Sequence, residues 1–436
     1  MTTDDFRNKP FFPEGPVPVE FFHGRKEAVE LILTRGIIPV TQGHAETIFV
    51  QGEYGIGKSS IAGYSQAVAE RNHGLHGIYA TLSDAVTMDD VAEKILAAAV
   101  QSGAFDPKRN EKIRNWLGKY VGQQSLFGVS LNLDALKKDA PSLASVNYLL
   151  VFFRELITRL SDAGVKGVFL VLDEINGISS NAQFAHFLKG LVDTNALTGK
   201  TVPVLLMLCG VEERRWELIS HHEPVGRIFK IVNIDRMSEP EMREFYADTF
   251  SKIGKTVDDN ALDLMTHYAA GFPNMMQLIG DTAFRRDSDN RIDKVDAQYA
   301  VFTAASEVGS RYVTPQIYAM LRSKDYRSIL RKISAVGPDM NFRKADVAQG
   351  LTESEKRKLG NFLAKLKQLK VIRDGFERGE YQFNIRMVRL FLWLDSIRET
   401  PEFKRLEESL ALDGKSEFPI VREPGVDYAS AAPREE

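Results

Sequence analysis

A glycine-rich segment, Gly52–Ser59 (GEYGIGKS), constrains the fold of this chain more than any other stretch. It follows a run of β-branched and aromatic residues, Thr47–Val50, which predicts a buried strand. It precedes Ile61–Glu70, which has helical spacing and few helix breakers. A strand, a glycine-rich turn and a helix start in this order predict a phosphate-binding loop. The alternative is a turn that matches the pattern by chance.

The chemistry of such a loop depends on its residue types. Glycines let several backbone N–H groups point at one anion, and the start of the following helix adds partial positive charge. Lys58 is expected to reach the outer phosphates, and Ser59 is expected to hold Mg²⁺. The residues assigned to the nucleotide phosphates are Gly52, Tyr54, Gly55, Ile56, Gly57, Lys58, Ser59 and Ser60.

A second motif supports the first. The apolar run Gly167–Leu172 is followed by Asp173 and Glu174, as expected for a parallel strand that is buried on both faces. The two acids fall at the carboxyl end of that strand, where open α/β sheets bind ligands. Asp173 is expected to join the Mg²⁺ shell, and Glu174 to orient and deprotonate a water molecule. Alone, this pair also fits a strand that runs into a solvated turn; with the glycine-rich loop, it predicts ATP and Mg²⁺.

Composition places the chain among globular proteins and excludes several classes of site. With 436 residues, 44% hydrophobic and 26% charged, it is expected to form two or three globular domains. No run is long enough to span a membrane, and the polar start, residues 1–9, is not a signal peptide. The single cysteine, Cys209, excludes internal disulfides and thiolate metal sites. These features favour the cytoplasm and no membrane partner.

The order of hydrophobic patterns predicts the domains. Alternating strand and helix patterns predict a doubly wound parallel α/β sheet, and only helical patterns follow from Ser238. The predicted parts are an extended N-terminal segment (1–20), a P-loop ATPase core (21–236) with an insertion (102–142), an all-α lid (237–320), a C-terminal winged-helix domain (321–399) and a flexible tail (400–436). The sequence assigns no role to the insertion.

The predicted winged helix carries a net positive charge, whereas the rest of the chain is net negative. Between Arg322 and Glu399 there are 18 Lys+Arg and 10 Asp+Glu, or 18 − 10 = +8, which leaves −3 − 8 = −11 for the rest. This asymmetry indicates a polyanion such as double-stranded DNA. Arginine, asparagine and glutamine can bond to base edges, and lysine to phosphates. The candidates, on the outer face of one predicted helix, are Arg357, Asn361, Lys365 and Gln368. A solvated face on a domain that contacts proteins remains the alternative.

Taken in order, these motifs resemble the P-loop ATPases of the AAA+ superfamily. The resemblance is closest to the archaeal-type, STAND-related ATPases and the origin-recognition-like initiators. It covers residues 10 to about 395 and rests on Phe22-His23-Gly24-Arg25, the Gly52–Ser59 loop, Leu170–Glu174 and Gly271-Phe272-Pro273. Such proteins combine an ATPase core, a helical lid and a C-terminal winged helix.

The resemblance implies additional site residues. Phe22, Gly24 and Arg25 would border the adenine, and Pro273 would close over it from the lid. Arg227 stands where such proteins place an arginine that senses the γ-phosphate, in cis or across a subunit boundary. A strand-edge arginine in a salt bridge is the alternative for Arg227.

Two departures from the initiators concern the same site. Initiators have a polar sensor, often asparagine, at the end of the fourth strand, where this chain has Leu208-Cys209-Gly210. They also have a sensor arginine in the lid, which Gly271–Pro273 lacks. Both departures favour a slow, switch-like ATPase. Three roles stay open: an oligomeric DNA-associated machine, a nucleotide-gated signalling or defence switch that docks a protein partner, and a transcription regulator.

Overall fold

The structure is a computed structural model that describes residues 9–102, 145–197, 199–412 and 418–422. Two compact units divide the chain: Pro16–Asp235 forms the first, and the second joins the residues before Pro16 to those from Arg236 onward. The predicted insertion at 102–142 lies outside the described residues, except for its first residue. None of the described helices is both long and apolar enough to cross a bilayer.

The first unit is built on one parallel sheet. Its strands are β1 (Glu46–Gln51), β2 (Leu75–Thr81), β3 (Gly167–Asp173), β4 (Val204–Gly210) and β5 (Lys230–Asn233). They lie in the order β2-β3-β4-β1-β5, and each neighbouring pair is parallel. Every residue of β3 and β4 is buried, as expected for strands covered on both faces. This confirms the predicted doubly wound α/β fold.

The helices of this unit connect the strands. They are α1 (Lys26–Ile32), α2 (Ile38–Thr41), α3 (Lys58–His73), α4 (Met88–Gln101), α5 (Val146–Leu160), α6 (Ala182–Leu197) and α7 (Glu212–His221). A π-helical turn, Leu33–Ile37, joins α1 to α2. Short 3-10 turns are formed by Val19–Phe21, Ser161–Ala163, Ile178–Ser180 and Glu223–Arg227. Thr87 and Asp90 cap α4 reciprocally, which stabilises its first turn.

Strand order brings the two sequence motifs together. β4 lies between β1 and β3, with Gln51 paired to Gly210 and Leu172 paired to Leu208. Because all three strands are parallel, their carboxyl ends form one edge of the sheet. The turn after β1 and the acids at the end of β3 therefore share this carboxyl edge, two strand spacings or roughly 10 Å apart.

The second unit is mainly helical. Its helices are α8 (Glu239–Lys252), α9 (Asp259–Ala269), α10 (Pro273–Arg286), α11 (Lys294–Val308), α12 (Lys324–Ala335), α13 (Lys344–Gln349), α14 (Glu353–Gln368), α15 (Arg386–Ile397) and α16 (Pro401–Leu412). A π-helix, Gly309–Tyr318, follows α11. β6 (Thr256–Val257) pairs with β7 (Arg291–Ile292). An antiparallel sheet has the order β8-β10-β9 and is formed by β8 (Asn341–Arg343), β9 (Ile372–Asp374) and β10 (Glu380–Phe383).

Local sequence determines two helix starts in this unit. Ser238 and Glu241 form a capping box at the start of α8. Gly271 has φ +81°, and a Cβ at that position would lie 2.7 Å from the carbonyl oxygen of Met237. Glycine is therefore required at this turn, after which Pro273 begins α10.

One hydrophobic core runs through the second unit, from Phe11 to Val421. It includes Phe250 of α8 and Phe362 of α14, so the predicted lid and winged helix do not have separate cores. Phe11, in the predicted extended segment, packs on Phe250 with ring centroids 5.0 Å apart. The early proline-rich residues are thus held by aromatic packing.

The prediction of a flexible tail from residue 400 is wrong for the part of the tail that the structure describes. Pro401–Leu412 is the helix α16, and Leu406 and Leu410 are buried. Phe418 and Val421 are also buried, and Val421 donates its backbone N–H to the Tyr268 hydroxyl at 3.2 Å. These few apolar residues bury enough surface to order a segment whose composition is otherwise polar.

Candidate functional site

The glycine-rich loop forms the turn between β1 and α3. Gly55 and Gly57 have φ of +75° and +98°, a backbone conformation that favours glycine. Gly57 is the N-cap of α3, and within the described chain no side chain caps the first turn. Among the described residues, the first backbone N–H groups of α3 therefore have no side-chain acceptor, which is the arrangement that binds phosphate at helix starts.

Lys58, the first residue of α3, lies inside this loop. Its ammonium group donates hydrogen bonds to the carbonyl oxygens of Gly52 at 3.0 Å and Glu53 at 2.8 Å. Burial lowers the pKa of Lys58, and the nearby acids Asp173 and Glu174 act in the opposite direction. A partly desolvated cation beside uncapped amides gives the loop the electrostatics of an anion site.

Asp173 ends β3 and is only 4% exposed. Its Oδ1 accepts the backbone N–H of Glu174 at 2.8 Å, and its Oδ2 accepts the Tyr79 hydroxyl at 2.6 Å. The same hydroxyl lies 3.4 Å from the carbonyl oxygen of Ser59. Tyr79 therefore links the two residues predicted to hold the metal. Nothing in the sequence pattern singles it out, because a tyrosine is ordinary in a strand.

The oxygen donors fit Mg²⁺ better than a softer metal. A hydroxyl from Ser59 and a carboxylate from Asp173 are hard ligands, which Mg²⁺ combines with substrate phosphates and waters. Within the described ranges, no group of three or more His, Cys, Asp and Glu residues could hold a metal by itself. The site therefore fits a metal that arrives with a phosphate ligand.

Glu174, the predicted water-activating residue, is exposed beside Asp173. Its φ is +55°, an uncommon conformation for a residue with a Cβ. Such local strain is found at functional sites, where the surrounding structure holds it in place. The structure therefore places Glu174 at the carboxyl edge, next to the carboxylate of the candidate metal site.

The residues predicted to border the adenine are tied to the loop. Gly24 and Arg25 both have positive φ, 70° and 59°. The Arg25 guanidinium donates to the carbonyl oxygen of Asp235 and, at 3.0 Å, to that of Ile56 in the loop. Phe22 stacks on Tyr64 of α3 with ring centroids 4.4 Å apart. This segment therefore packs on the glycine-rich loop, while adenine binding by Phe22, Gly24 and Arg25 stays a prediction.

Three other predicted residues have distinct positions. Ser60 accepts the backbone N–H of Val17 at 3.3 Å, so its hydroxyl contacts the N-terminal segment. Pro273 begins α10 in the second unit, and its role at the adenine stays a prediction. Arg227 ends the short turn before β5, at the amino end of that strand. In a parallel sheet this is the edge opposite to the glycine-rich loop.

The four DNA candidates share the outer face of α14. Arg357, Asn361 and Gln368 are exposed, and Lys365 is half-buried. Three of them, all except Arg357, line a surface cavity of about 400 Å³ together with Met320, Arg322, Ser323, Tyr326 and Ala364. Asn361, Lys365 and Gln368 therefore share one surface depression with apolar neighbours, and DNA binding by this face stays a prediction.

Comparison with known proteins identifies the fold. No protein-family model matches the chain, and no curated protein matches its sequence. The ORC2 protein of Aeropyrum pernix, solved in ADPNP-ADP complexes, matches 92% of this chain and 98% of its own, with TM-score 0.56 and 13% identity. A Walker-type ATPase of Pyrococcus abyssi matches 88% of this chain and 99% of its own, with TM-score 0.54 and 18% identity.

The chain therefore shares the fold of these two proteins, a Walker-type ATPase and an ORC2 protein. This confirms the resemblance noted in the sequence at the level of fold. Both matches extend over nearly the whole length of the solved proteins.

Proposed function

We propose that this chain binds and hydrolyses ATP as a slow switch, and that its nucleotide state repositions a C-terminal winged helix that acts on DNA or on a DNA-bound complex. The observation that carries the ATP proposal is the link made by Tyr79, whose hydroxyl joins Asp173 at 2.6 Å to the backbone of Ser59. It joins the phosphate loop to the acidic strand. Similarity of fold to the ORC2 protein solved with ADPNP and ADP supports the same proposal.

Each residue of the site has a defined role in this proposal. Lys58 and the uncapped amides of α3 hold the phosphates, and Ser59 and Asp173 hold Mg²⁺. When bound, Mg²⁺ neutralises charge on the transferring phosphoryl group. Glu174 orients the attacking water and accepts its proton. The loss of γ-phosphate contacts on hydrolysis changes the preferred conformation of the chain.

Two separate substitutions, one of Glu174 and one of Lys58, test this chemistry. Glu174→Gln keeps the size and polarity of the side chain but removes the base, so ATP affinity stays the same while turnover falls about 100-fold or more. Lys58→Ala removes the cation and weakens ATP binding itself. Equilibrium binding and steady-state phosphate release measure the two effects. Unchanged turnover in Glu174→Gln contradicts the assignment of Glu174, and no ATP binding by the native chain contradicts the whole proposal.

The DNA part of the proposal rests on unneutralised charge. In the described chain, three lysines of α14 form ion pairs: Lys356 with Glu353, Lys358 with Asp325, and Lys367 with Asp374. Among the residues that the structure describes, no carboxylate lies within 4.0 Å of the remaining two basic residues of α14. These are Arg357 and Lys365, the two predicted from sequence. Cations without a protein counter-ion are the ones able to bind phosphate.

Affinity for a DNA duplex, measured against salt concentration with and without ATP, tests this surface. Replacement of either Arg357 or Lys365 by alanine is expected to reduce the slope of log affinity against log salt concentration by about one, the value for one phosphate contact. Lys356→Ala is the matched control, because Lys356 is paired with Glu353 at 2.9 Å on the same helix. A salt-independent or undetectable duplex affinity, with ATP binding intact, excludes the DNA role.

One feature favours the alternative, a nucleotide-gated signalling or defence ATPase that docks a protein partner. Phe376, between β9 and β10, is 89% exposed. Large exposed aromatic side chains are typical anchors of protein–protein contacts. In that alternative, Phe376→Ala impairs partner binding, while duplex affinity is absent in both the native chain and the variant.

A further inference from the structure

An additional arginine lies at the carboxyl edge of the sheet, in the segment after β4, to which the sequence analysis assigned no site residue. Arg214 is in the first turn of α7, which begins two residues after β4 ends at Gly210. Because β4 lies between β1 and β3, this turn is flanked by the phosphate loop and the acidic loop. It directly follows the segment where initiators carry a polar sensor and this chain has buried Leu208 and Cys209.

The contacts of Arg214 join both loops. Its Nη1 donates to Glu217 at 3.0 Å, and the same Glu217 oxygen accepts the hydroxyl of Ser179, which follows the acidic strand, at 2.6 Å. Tyr54 of the phosphate loop donates to Asn176 at 3.4 Å and also lies against the Arg214 side chain. The hydrogen bond from Arg214 to Glu217 raises the pKa of the guanidinium. Arg214 is thus a fixed positive charge between the two halves of the site.

One donor of Arg214 is left unused. Its Nε is buried and has no hydrogen-bond partner in the part of the chain that the structure describes. A buried N–H without an acceptor is unfavourable, and such a group in a native protein requires an explanation. The Lys58 ammonium lies 5.5 Å from the centre of the Tyr54 ring. Tyr54 therefore interacts with both cations, which places Arg214 next to the loop that is proposed to bind the phosphates.

We propose that Arg214 exchanges Glu217 for the γ-phosphate of ATP bound to the same chain, and so distinguishes ATP from ADP. This inference rests on the proposed ATP site. A guanidinium presents several donors in a planar fork that matches phosphate oxygens, so the unused Nε gains an acceptor on exchange. Glu217 keeps the hydroxyl of Ser179 when Arg214 leaves, so its charge stays paired with a donor. ADP lacks the group that Arg214 would bind, and in its presence Arg214 stays on Glu217.

The experiment measures the dissociation constants of ATP and ADP in a Glu174→Gln parent, in which ATP persists. In this parent, Arg214→Ala is expected to weaken ATP about tenfold or more, the loss typical of a charge-assisted contact, and to leave ADP within about twofold. Glu217→Gln is expected to raise the preference for ATP, because a neutral amide holds the guanidinium less strongly. Arg71→Ala is the matched control, since Arg71 is paired with Glu20 at 3.2 Å near the distal end of α3.

Each outcome separates this inference from the proposed function. If the parent binds neither nucleotide, the proposed function fails. If the parent prefers ATP and Arg214→Ala keeps that preference, the inference is overturned. Equal weakening of ATP and ADP also overturns it, because Arg214 would then only support the loop through Tyr54. A fall in ATP preference in Glu217→Gln contradicts the exchange even if Arg214→Ala does not fold.

Discussion

The Tyr79 hydroxyl determines the orientation of the carboxylate at the centre of the proposed metal site. Asp173 uses one oxygen for the Glu174 backbone and the other for Tyr79, so its plane is fixed from both sides. Burial and the adjacent Asp173 raise the pKa of Tyr79 above its usual value, so the phenol remains a donor at neutral pH. Hydrogen bonds that hold a metal-binding side chain in place usually orient it toward the metal.

Replacement of Tyr79 by phenylalanine is therefore expected to weaken the metal site without removing it. The Mg²⁺ concentration for half-maximal ATP binding is expected to rise about tenfold, because the site loses one hydrogen bond to a charged group. A titration of Mg²⁺ at fixed ATP measures the shift, and direct binding of Mn²⁺ with ATP gives a readout independent of turnover. The control is Tyr64→Phe, a change on α3 where Tyr64 stacks on Phe22. An unchanged Mg²⁺ requirement in Tyr79→Phe contradicts this role.

At the scale of single residues, sequence predicts the parts of the site that belong to continuous motifs. Lys58 and Asp173 each stand at a fixed place in a strand–turn or strand–end pattern, and the structure brings their motifs to one edge. Tyr79 and Arg214 are not predicted in this way, because their partners are distant in sequence. Tyr79 and Asp173, for example, are 94 residues apart. A tyrosine in a strand or an arginine on a helix is ordinary until its neighbours are known.

At the scale of elements, the start of α14 is held by a buried carboxylate. Glu355 accepts hydrogen bonds from Lys332 at 2.7 Å, Ser328 at 2.6 Å and the backbone N–H of Thr352 at 2.7 Å. The bond from Lys332, followed by those from Ser328 and Thr352, lowers the pKa of Glu355 from 4.5 to about 2. These contacts join α12 to the first turn of the helix that carries the DNA candidates.

Glu355→Gln is expected to lower stability in a pH-dependent way. Because the folded pKa lies below the ordinary value of 4.5, the contribution of Glu355 is present above about pH 4.5 and is lost as pH falls toward 2. At neutral pH the loss is about 1–3 kcal/mol, since the amide keeps an acceptor but loses the charge. Thermal unfolding of native chain and variant from pH 7 to pH 3 measures the difference between them.

The control for this effect is Glu353→Gln on the same helix turn. Glu353 is paired with Lys356, and its side chain is 77% exposed, so its removal changes stability little at any pH. If the difference in stability between the native chain and Glu355→Gln stays constant down to pH 3, the charge of Glu355 does not contribute to stability.

Sequence predicts the existence of most elements better than their ends. The hydrophobic pattern predicts a strand over 202–208, whereas β4 begins at Val204. It also predicts a strand over 228–234, whereas β5 covers only Lys230–Asn233. Periodicity reports which side chains are buried, whereas pairing with a neighbouring strand decides where a strand ends. The missed helix α16 has the same cause, because its buried residues Leu406 and Leu410 are few among many charges.

At the scale of the whole molecule, sequence predicts the parallel sheet and the helical region after it, but not which unit the first residues join. Phe11 packs on Phe245 and Phe250, more than 230 residues away in sequence. No periodic pattern precedes Pro16, so nothing in that segment indicates its partner. Which unit such a segment joins is decided by contacts between residues that are far apart in the sequence. The pattern of a single sequence does not reveal these contacts.

Arg227 connects the proposed chemistry to assembly. Its side chain is 82% exposed, and the nearest carboxylate, on Glu223, is 4.0 Å away, a surface pair of little energetic weight. It precedes β5, so it lies at the edge of its own sheet opposite to the phosphate loop. If it senses a γ-phosphate, it does so in the site of a neighbouring copy, as in a head-to-tail oligomer.

This arrangement predicts complementation between two inactive variants. Lys58→Ala lacks a competent site but keeps Arg227, whereas Arg227→Ala keeps the site but cannot complete its neighbour's. Each alone is expected to be inactive, and an equimolar mixture should recover hydrolysis at about a quarter of its sites by random pairing. Phosphate release by the mixture, compared with each variant at the same total concentration, measures the recovery. If the mixture stays inactive although the Arg227→Ala chains bind ATP and the two variants co-assemble, Arg227 does not act across a subunit boundary, and the switch is confined to one chain.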